Sequence, residues 1–327
     1  MKFIQHSLAN PLSAESSLMR LDNGSCLKLL ETGVLRVSPA QAAKQSIIIS
    51  CGIHGNETAP IELVDQLLKE ILVGDLVVEN DLLLILGNPS AVNNESRFVE
   101  ENLNRLFSGK HLESTSLEAT RARQLEAYVE QFYGETDGRV VQRLHYDLHT
   151  SIRDSQFQKF AVYPYLHNRE WSRPQLAFLE HCGIEAVLLS SQPAGTFSYF
   201  TSHSFAAEAF TLELGKARKF GDNNMPDFED VAIGLRALIS GNEIFARKTE
   251  KLKIFRVVEE VIKRSEEFKL HFPDDAKNFT EFAKGSLLAT DGVYEYRTQL
   301  EGERFVFPII NVPIGQRAML VVAPTEL

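Results

Sequence analysis

Short apolar runs alternate with longer amphipathic segments along the first three quarters of the chain. Continuous apolar runs between turn residues are typical of buried strands, whereas apolar positions spaced three and four residues apart are typical of helices. The runs predict strands at Cys26–Leu30, Ser46–Cys51, Leu82–Leu86, Leu144–Leu148, Phe160–Tyr163, Glu185–Leu189 and Ala209–Leu214. The amphipathic segments predict helices at Pro60–Leu72, Leu117–Phe132, Pro174–His181 and Asp227–Phe245.

Strands that alternate with helices predict an α/β fold, with a mixed, largely parallel central sheet flanked by helices. After residue 247 the pattern changes to short runs separated by glycine, proline and acidic turns. These runs predict strands at Ile254–Ile262, Val293–Thr298, Arg304–Ile310 and Ala318–Val322. We therefore expect a catalytic domain over residues 1–247 and a smaller β-rich domain over residues 248–327.

Charge and composition narrow the possible functions. The 327 residues carry a net charge of −10 with scattered basic residues, which gives no support for a nucleic-acid or anionic-membrane surface. No stretch approaches the roughly 18 consecutive apolar residues of a membrane span, and the first residues lack the apolar core of a signal peptide. We expect a cytoplasmic protein with three reduced cysteines, of which Cys51 is a small core residue rather than a metal ligand.

A candidate metal-binding pair follows the second predicted strand. The β-branched run in residues 46–57 stops at glycine and presents His54 and Glu57 three residues apart, immediately before the predicted helix Pro60–Leu72. An imidazole and a carboxylate held after a tight turn can share one zinc ion. The same spacing recurs in residues 167–170, but no strand end precedes it there. Context therefore favours the first pair as half of a zinc site.

A third metal ligand is predicted at the end of another strand. In residues 144–150, alternation places Asp147 and His149 on one face, with His149 at the strand exit. Together with His54 and Glu57, His149 would give three protein ligands and one open position, as in catalytic zinc sites. Asp147 is a candidate to accept a hydrogen bond from the distal imidazole nitrogen, or only to shape the site. A histidine at a strand end without a ligand role is the alternative.

A carboxylate also interrupts the apolar strand at residues 210–215. Glu213 stands between Leu212 and Leu214, directly before a glycine. If its side chain is buried, its pKa rises toward neutrality, which suits a base that moves protons during hydrolysis. Alternation equally allows Glu213 to face solvent, so this strand alone leaves both interpretations open.

The segment after the strand Leu82–Leu86 is rich in amide and guanidinium groups. It runs through residues 87–97 and on to residues 102–107. Such groups bind carboxylates bidentately and stabilise a developing oxyanion, which a lysine does only as a point charge. A turn-rich surface loop is the alternative, but the position of this segment between two ligand segments favours a role in the site.

Together these segments resemble the succinylglutamate desuccinylase and aspartoacylase family, a branch of the zinc carboxypeptidase fold. The resemblance spans most of the chain and depends on four elements in family order. They are His54-Gly55-Asn56-Glu57, Asn102-Leu103-Asn104-Arg105, the strand ending in Asp147-Leu148-His149, and Glu213-Leu214-Gly215. Four ordered elements are much more specific than any one of them.

The resemblance implies that His54, Glu57 and His149 bind one zinc ion per chain. It also implies that Glu213 is the catalytic base and acid. We therefore expect the Glu213→Ala variant to retain zinc but lose turnover, because the substitution removes the proton carrier and no metal ligand.

For the substrate, the resemblance implies that Arg105 and Asn104 bind a carboxylate and that Arg97 polarises the scissile carbonyl. Aspartoacylase has aspartate where this chain has Asn102, so the local charge differs from that of aspartoacylase. This departure argues against the aspartoacylase activity in particular.

Within the family, the run at residues 102–107, the chain length and the β-rich C-terminal portion ending near residues 315–318 resemble the enzymes that act on succinylglutamate. The implied reaction is hydrolysis of N-succinyl-L-glutamate to succinate and L-glutamate, the last step of a bacterial arginine degradation route. The expected partner is a small N-acyl amino acid, and the sequence does not define the oligomeric state.

Three other functions remain open on the sequence. The first is aspartoacylase-like hydrolysis of another N-acyl amino acid with the same residues. The second is a true peptidase, which the short spacing between Glu57 and His149 and the C-terminal β-rich portion make less attractive. The third is a non-catalytic module that binds a small ligand. We expect the loop Ser190–His203 and the C-terminal domain to complete the specificity pocket. Tyr294, Tyr296, Arg297 and Lys216 are only candidates, and for each taken singly the favoured alternative is a surface tyrosine or a solvated cation.

Overall fold

The fold is seen in a computed structural model that describes residues 2–135, 142–242 and 252–327. Within these ranges the helices are α1 Phe3–Ala9, α2 Thr58–Val73, α3 Pro89–Asn93, α4 Leu117–Gly134, α5 Arg173–His181, α6 Phe197–Phe205 and α7 Glu229–Ile239. The strands are β1 Ser17–Arg20, β2 Cys26–Glu31, β3 Val34–Ser38, β4 Gln45–Cys51, β5 Asp81–Leu86, β6 Gln142–Ser151, β7 Phe160–Tyr163, β8 Ala186–Leu189, β9 Glu208–Lys216, β10 Lys253–Ile262, β11 Lys269–Leu270, β12 Leu287–Asp291, β13 Tyr294–Arg297, β14 Arg304–Val306 and β15 Arg317–Pro324. Short 3-10 turns lie at Leu103–Arg105, Lys110–Glu113 and Met225–Phe228.

One twelve-stranded sheet organises the described residues, in the order β1-β2-β3-β5-β4-β6-β9-β7-β8-β10-β15-β14. Its centre is parallel, because β4 pairs in parallel with β5 and β6, and β6 pairs in parallel with β9. Antiparallel pairs β7–β9 and β10–β15 make the sheet mixed. The predicted α/β class with a mixed sheet is confirmed. The carboxyl ends of β4, β5, β6 and β9 meet at one edge, where chemistry is expected in such sheets.

Both faces of the sheet are covered, because successive apolar side chains in the central strands point to opposite sides. Ile47 and Ile49 of β4 pack in the cluster that includes residues of α2, α5 and α7, whereas Ile48 packs with residues of α4 and α6. Cys51 is fully buried in the first cluster, as predicted for a core residue.

The C-terminal region is β-rich, as predicted, and its first and last long strands extend the central sheet. Strand β10 pairs in parallel with β8, and β15 pairs with β10 on its other side. Strands β11, β12 and β13 form a separate three-stranded sheet. The proposed division between residues 247 and 248 falls outside the described residues, so two domains remain a prediction.

Several predicted bounds were wrong for local reasons. The helix expected at Asp227–Phe245 instead ends at Ile239, and residues 243–245 lie outside the described ranges. At this end the Ser240 hydroxyl donates to the Arg236 carbonyl, and Gly241 takes a left-handed conformation. The strand expected at Arg304–Ile310 ends at Val306, before Phe307 with φ 57°.

Other elements were not predicted at all. The region taken as the loop Ser190–His203 contains most of α6, and β1, β3, α1 and α3 were also missed. Most of these elements are short, and the residues of α6 are poor helix formers. Among the described helices, none has the length and apolar composition needed to cross a membrane.

Candidate active site

The first ligand segment lies at the end of β4, where two glycines allow a close turn. Gly52 has a φ of +61°, a conformation that glycine adopts without strain. A Cβ atom on Gly55 would lie 2.1 Å from the carbonyl carbon of Ala91, so no larger residue fits there. This turn buries His54 and Glu57 just before α2 begins at Thr58.

The three predicted metal ligands converge. Candidate ligand atoms of His54, Glu57 and His149 all lie within 4.8 Å of one another, and all three side chains are buried. The carboxylate lies between the rings, since Nδ1 of His54 is 2.8 Å from Oε1 of Glu57 and Nδ1 of His149 is 2.8 Å from Oε2. In the part of the chain that the structure describes, this is the one such cluster of three potential ligands.

The distal nitrogens of both rings are held by neighbouring side chains. Nε2 of His149 lies 2.9 Å from Oδ2 of Asp147, the contact predicted for a side chain that orients a metal ligand. Nε2 of His54 lies 3.0 Å from Oδ1 of Asn102, the residue that departs from the aspartoacylase pattern. Both Nδ1 atoms are thereby directed at Glu57.

The hydrogen-bond pattern around His54 tests whether a cation fits. Oδ1 of Asn102 already accepts the backbone N–H of Asn104, so the nearby Nε2 of His54 must also be a donor. Burial is the main cause that lowers the pKa of His54 to about 4, so the ring is neutral at pH 7. Its Nδ1 is then an acceptor facing the acceptor Oε1 of Glu57. A cation between these atoms removes that repulsion, so the site fits a metal.

The charges of the other two ligands agree with this interpretation. Burial opposes ionisation of Glu57, but the protonated ring of His149 beside it holds the pKa of Glu57 well below its ordinary value. Burial also opposes protonation of His149, but Asp147 and Glu57 raise its pKa well above the ordinary value. A divalent cation and the extra proton on His149 would compete for one position, so metal binding here releases a proton. Two imidazoles and one carboxylate are a donor set that suits zinc.

Glu213 lies beside the ligands and does not face solvent. It pairs in register with His149 across β6 and β9, and only 8% of the residue is exposed. Its Oε2 atom is buried without a hydrogen-bond partner among the residues described. Burial, followed by repulsion from Glu57, raises its pKa to about 7. The solvent-facing alternative for this residue was wrong, and the group is poised to gain or lose a proton near neutral pH.

The segment after β5 brings its amide and guanidinium groups to the same edge. Nη1 of Arg97 donates to Oε1 of Glu57 at 2.8 Å, so this cation lies directly beside the ligand cluster. Asn104 is buried, and its Oδ1 accepts the backbone N–H of Phe197 at 2.9 Å. Arg105 is exposed and lines the pocket, and among the described residues the only hydrogen bond of its side chain goes to the carbonyl of Asn104.

A buried carboxylate fixes the conformation of this segment. Glu118 of α4, which is 1% exposed, accepts the backbone N–H groups of Val99, Glu100 and Glu101 and the side-chain amide of Asn88. Four donors on one buried carboxylate compensate the cost of burying its charge. The segment that presents Arg97 is therefore held from the core side.

One pocket is lined by six of the candidate site residues but not by Glu57: His54, His149, Glu213, Arg97, Asn104 and Arg105. The space between its walls, counted out to its open mouth, is about 860 Å³. Its walls come from the sheet edge, the segment after β5, the residues around α6, and the C-terminal region. The lining residues are His54, Arg97, Asn104, Arg105, His149, Val162, Pro164, Tyr165, Ser190, Gln192, Ala194, Thr196, Ser198, Tyr199, Thr211, Glu213, Phe307, Ile309, Arg317 and Leu320.

The C-terminal side chains suggested by the sequence are not the ones that line this pocket. Tyr296 is buried against Arg264, Arg297 pairs with Glu295, and Lys216 pairs with Asp154; Tyr294 is 52% exposed. Strand β15 instead contributes Arg317, which the sequence did not single out. Its signal was only a cation at the start of a predicted apolar strand.

Comparisons with known protein families match most of the chain. The model of the succinylglutamate desuccinylase/aspartoacylase catalytic domain matches residues 43–239. The model of the AstE/AspA barrel-sandwich hybrid domain matches residues 250–325. The chain is 45% identical over 307 residues to the succinylglutamate desuccinylase of Pseudoalteromonas atlantica, covering 92% of this chain and 87% of that protein.

Solved structures give the same relationship. The chain superposes on a succinylglutamate desuccinylase from Vibrio parahaemolyticus with a TM-score of 0.92 and 36% identity, covering 99% of this chain and 95% of the other. For the enzyme from Chromobacterium violaceum the TM-score is 0.89 with 40% identity, covering 100% and 98% of the two chains.

Proposed function

The chain belongs to the succinylglutamate desuccinylase/aspartoacylase family, and we propose that it is a zinc-dependent hydrolase that cleaves N-succinyl-L-glutamate into succinate and L-glutamate. The observation that carries the proposal is the convergence of His54, Glu57 and His149 within 4.8 Å, beside a buried glutamate with a pKa of about 7. Relatives named for this activity cover nearly the whole chain, which supports the choice of substrate.

His54, Glu57 and His149 are the proposed zinc ligands. Bound zinc would supply a Lewis acid that polarises the amide carbonyl and makes water more acidic. Asp147 and Asn102 hold the distal ring nitrogens at 2.9 and 3.0 Å and so fix both rings with Nδ1 toward Glu57. The carboxylate of Glu57 would balance part of the charge of a bound metal ion.

Glu213 is the proposed proton carrier. Its carboxylate accepts a proton from the water that attacks the scissile carbonyl and delivers that proton to the departing nitrogen of glutamate. A pKa of about 7 lets one group act in both directions at neutral pH. Its burial on β9 holds the carboxylate in a fixed position, whereas a base on an exposed strand face would be free to move.

Arg97 and Arg105 have different proposed roles. Arg97, fixed 2.8 Å from Glu57, places positive charge where the carbonyl oxygen becomes negative as the water attacks. Arg105 points into the pocket with free donors and binds a substrate carboxylate. Asn104 lines the pocket beside it and is proposed to bind the same carboxylate, while its Oδ1 accepts the backbone N–H of Phe197 at the start of α6. The C-terminal wall formed by Phe307 and Ile309 limits the pocket to small substrates, which argues against a peptidase.

Kinetics on two N-acyl amino acids test the proposal. The purified, zinc-loaded chain is assayed for release of free glutamate from N-succinyl-L-glutamate and of free aspartate from N-acetyl-L-aspartate. We expect kcat/KM to favour succinylglutamate by ~100-fold or more, because an acetyl group has no carboxylate to pair with a cation of the pocket. The Glu213→Gln variant is the matched inactive control. Preference for acetylaspartate would instead identify an aspartoacylase-like enzyme, and hydrolysis of neither would reject the hydrolase proposal.

A further inference from the structure

Strand β15 places a guanidinium in the wall of the pocket. Arg317 is the first residue of this strand and is partly buried. It lines the same pocket as His149 and Glu213, together with Leu320 from the same strand. Arg317 therefore reaches the reacting region from the C-terminal part of the chain, whereas Arg105 reaches it from the segment after β5.

Among the described residues, Arg317 has no hydrogen-bond or ion-pair partner that would explain its position. Across residues 2–135, 142–242 and 252–327, no hydrogen bond or ion pair within 4.0 Å engages its side chain. Glu260 on β10 attracts it only at longer range. By contrast Arg97 is paired with Glu57, and Arg304 with Glu281. A partly buried arginine without a paired acid costs free energy unless a ligand supplies the negative charge.

Arg317 and Arg105 are close enough to repel each other. Burial, followed by repulsion from Arg317 and Arg97, lowers the pKa of Arg105 to about 9, which still leaves it charged at pH 7. A substrate with one carboxylate would neutralise only one of these two guanidiniums. A substrate with two or more carboxylates can neutralise both guanidiniums. Each guanidinium is planar and can donate two parallel hydrogen bonds to one carboxylate.

We propose that Arg317 is a specificity-determining residue that binds a second substrate carboxylate, distinct from the one held by Arg105. This rests on the proposed function, because N-succinyl-L-glutamate carries three carboxylates around the scissile amide. The proposal names the chemical class that the pocket selects: N-acyl amino acids in which at least two free carboxylates flank or follow the amide. Arg317 acts by holding substrate and takes no part in proton transfer.

Substrates that each lack one carboxylate test this assignment. The panel contains N-succinylglutamate, which has all three carboxylates, and three truncated compounds. N-butyrylglutamate lacks the succinyl carboxylate, N-succinylglutamine lacks the side-chain carboxylate, and N-succinyl-4-aminobutyrate lacks the α-carboxylate. We expect Arg317→Met to lower kcat/KM on N-succinylglutamate by ~100-fold, and by less than about threefold on one of the three truncated substrates. An equal loss on all four substrates, or no loss on any, would overturn the proposal.

A second variant tests whether the two arginines hold different carboxylates. Arg105→Met is run on the same panel and should become insensitive to a different truncation from Arg317→Met. If both variants are insensitive to the same truncated substrate, they share one carboxylate and the proposal is wrong. Arg256→Met is the matched control, because Arg256 is exposed on the adjacent strand β10, pairs in register with Ala323 of β15, and does not line the pocket. It should match the wild type on every substrate.

Binding separates this inference from the proposed hydrolysis. If the wild type leaves N-succinylglutamate intact, the proposed function fails, but titration calorimetry with that compound still measures carboxylate recognition. We then expect Kd to rise at least tenfold in Arg317→Met relative to the wild type and Arg256→Met. Equal Kd values in all three proteins would overturn the role of Arg317 whatever the catalytic result.

Discussion

Replacing Glu213 with glutamine removes a buried acid whose ionisation the fold opposes. The side chain is 8% exposed, and its Oε2 atom has no hydrogen-bond partner among the described residues. Burial and the negative charge of Glu57 raise its pKa from 4.5 to about 7. The same property that makes the carboxylate a useful base should therefore destabilise the metal-free protein whenever Glu213 is ionised.

The sign and size follow from the two pKa values. Below pH 4.5 Glu213 is protonated in both the folded and the unfolded chain, so it adds no ionisation cost. Between 4.5 and about 7 the folded chain binds more protons, so stability falls as the pH rises; above about 7 the loss is complete. At about 1.4 kcal/mol per pH unit, the full loss is about 3 kcal/mol. Glutamine does not titrate and avoids this pH-dependent loss.

Denaturant unfolding with a chelator present measures this effect. The free energy of unfolding of Glu213→Gln minus that of the wild type should grow by ~2 kcal/mol between about pH 5 and pH 8. Any fixed cost of the buried amide cancels in that change. A difference that stays constant with pH would refute the reasoning. In the zinc-loaded proteins the change should shrink, because the cation stabilises the ionised carboxylate, while turnover by Glu213→Gln remains negligible and zinc is retained.

Three further substitutions separate the roles of the surrounding groups. Arg105→Ala should raise KM at least ~10-fold with little change in kcat, and an unchanged KM would place the carboxylate elsewhere. Asp147→Asn should weaken zinc affinity by ~10- to 100-fold in a chelator competition, whereas an unaltered Kd would leave Asp147 without an orienting role. Glu118→Gln should lower both kcat/KM and Tm, because it leaves buried backbone donors poorly satisfied. Exposed Glu113→Gln is its control, and equal behaviour of the two variants would contradict the role of Glu118 in holding this segment.

The positions of the candidate metal ligands could be predicted because each stands next to the end of a regular element. The apolar run of β4 ends at glycine just before His54, and alternation along β6 puts Asp147 and His149 on one face. Parallel neighbours bring these strand ends together, so the sequence pattern alone implied that the residues lie close together. The burial of Glu213 was different, because alternation alone does not say which face of β9 is covered.

The walls of the pocket could not be predicted in the same way. Helix α6, with sequence Phe197–Phe205, is built from aromatic and hydroxyl residues that favour helices weakly, and it forms by packing Phe197 and Phe200 into the core around Phe107. Arg317 reaches the pocket because β10 pairs with β8, a contact between segments distant in sequence. A contact between distant segments leaves no local pattern in the sequence, and the candidates Tyr294, Tyr296 and Arg297, for which a surface position was the favoured alternative, do not line the pocket.

Metal analysis combined with activity tests the central claim most directly. Zinc is measured by mass spectrometry in the wild type, in alanine variants of His54, Glu57 and His149, and in His271→Ala, which changes an exposed histidine that does not line the pocket. We predict that the wild type and His271→Ala each bind one zinc per chain and hydrolyse N-succinylglutamate. In these two proteins a chelator should remove the zinc and the activity, and added zinc should restore them. The three ligand variants should show neither zinc nor hydrolysis. Full hydrolysis by a zinc-free wild-type chain would contradict the account.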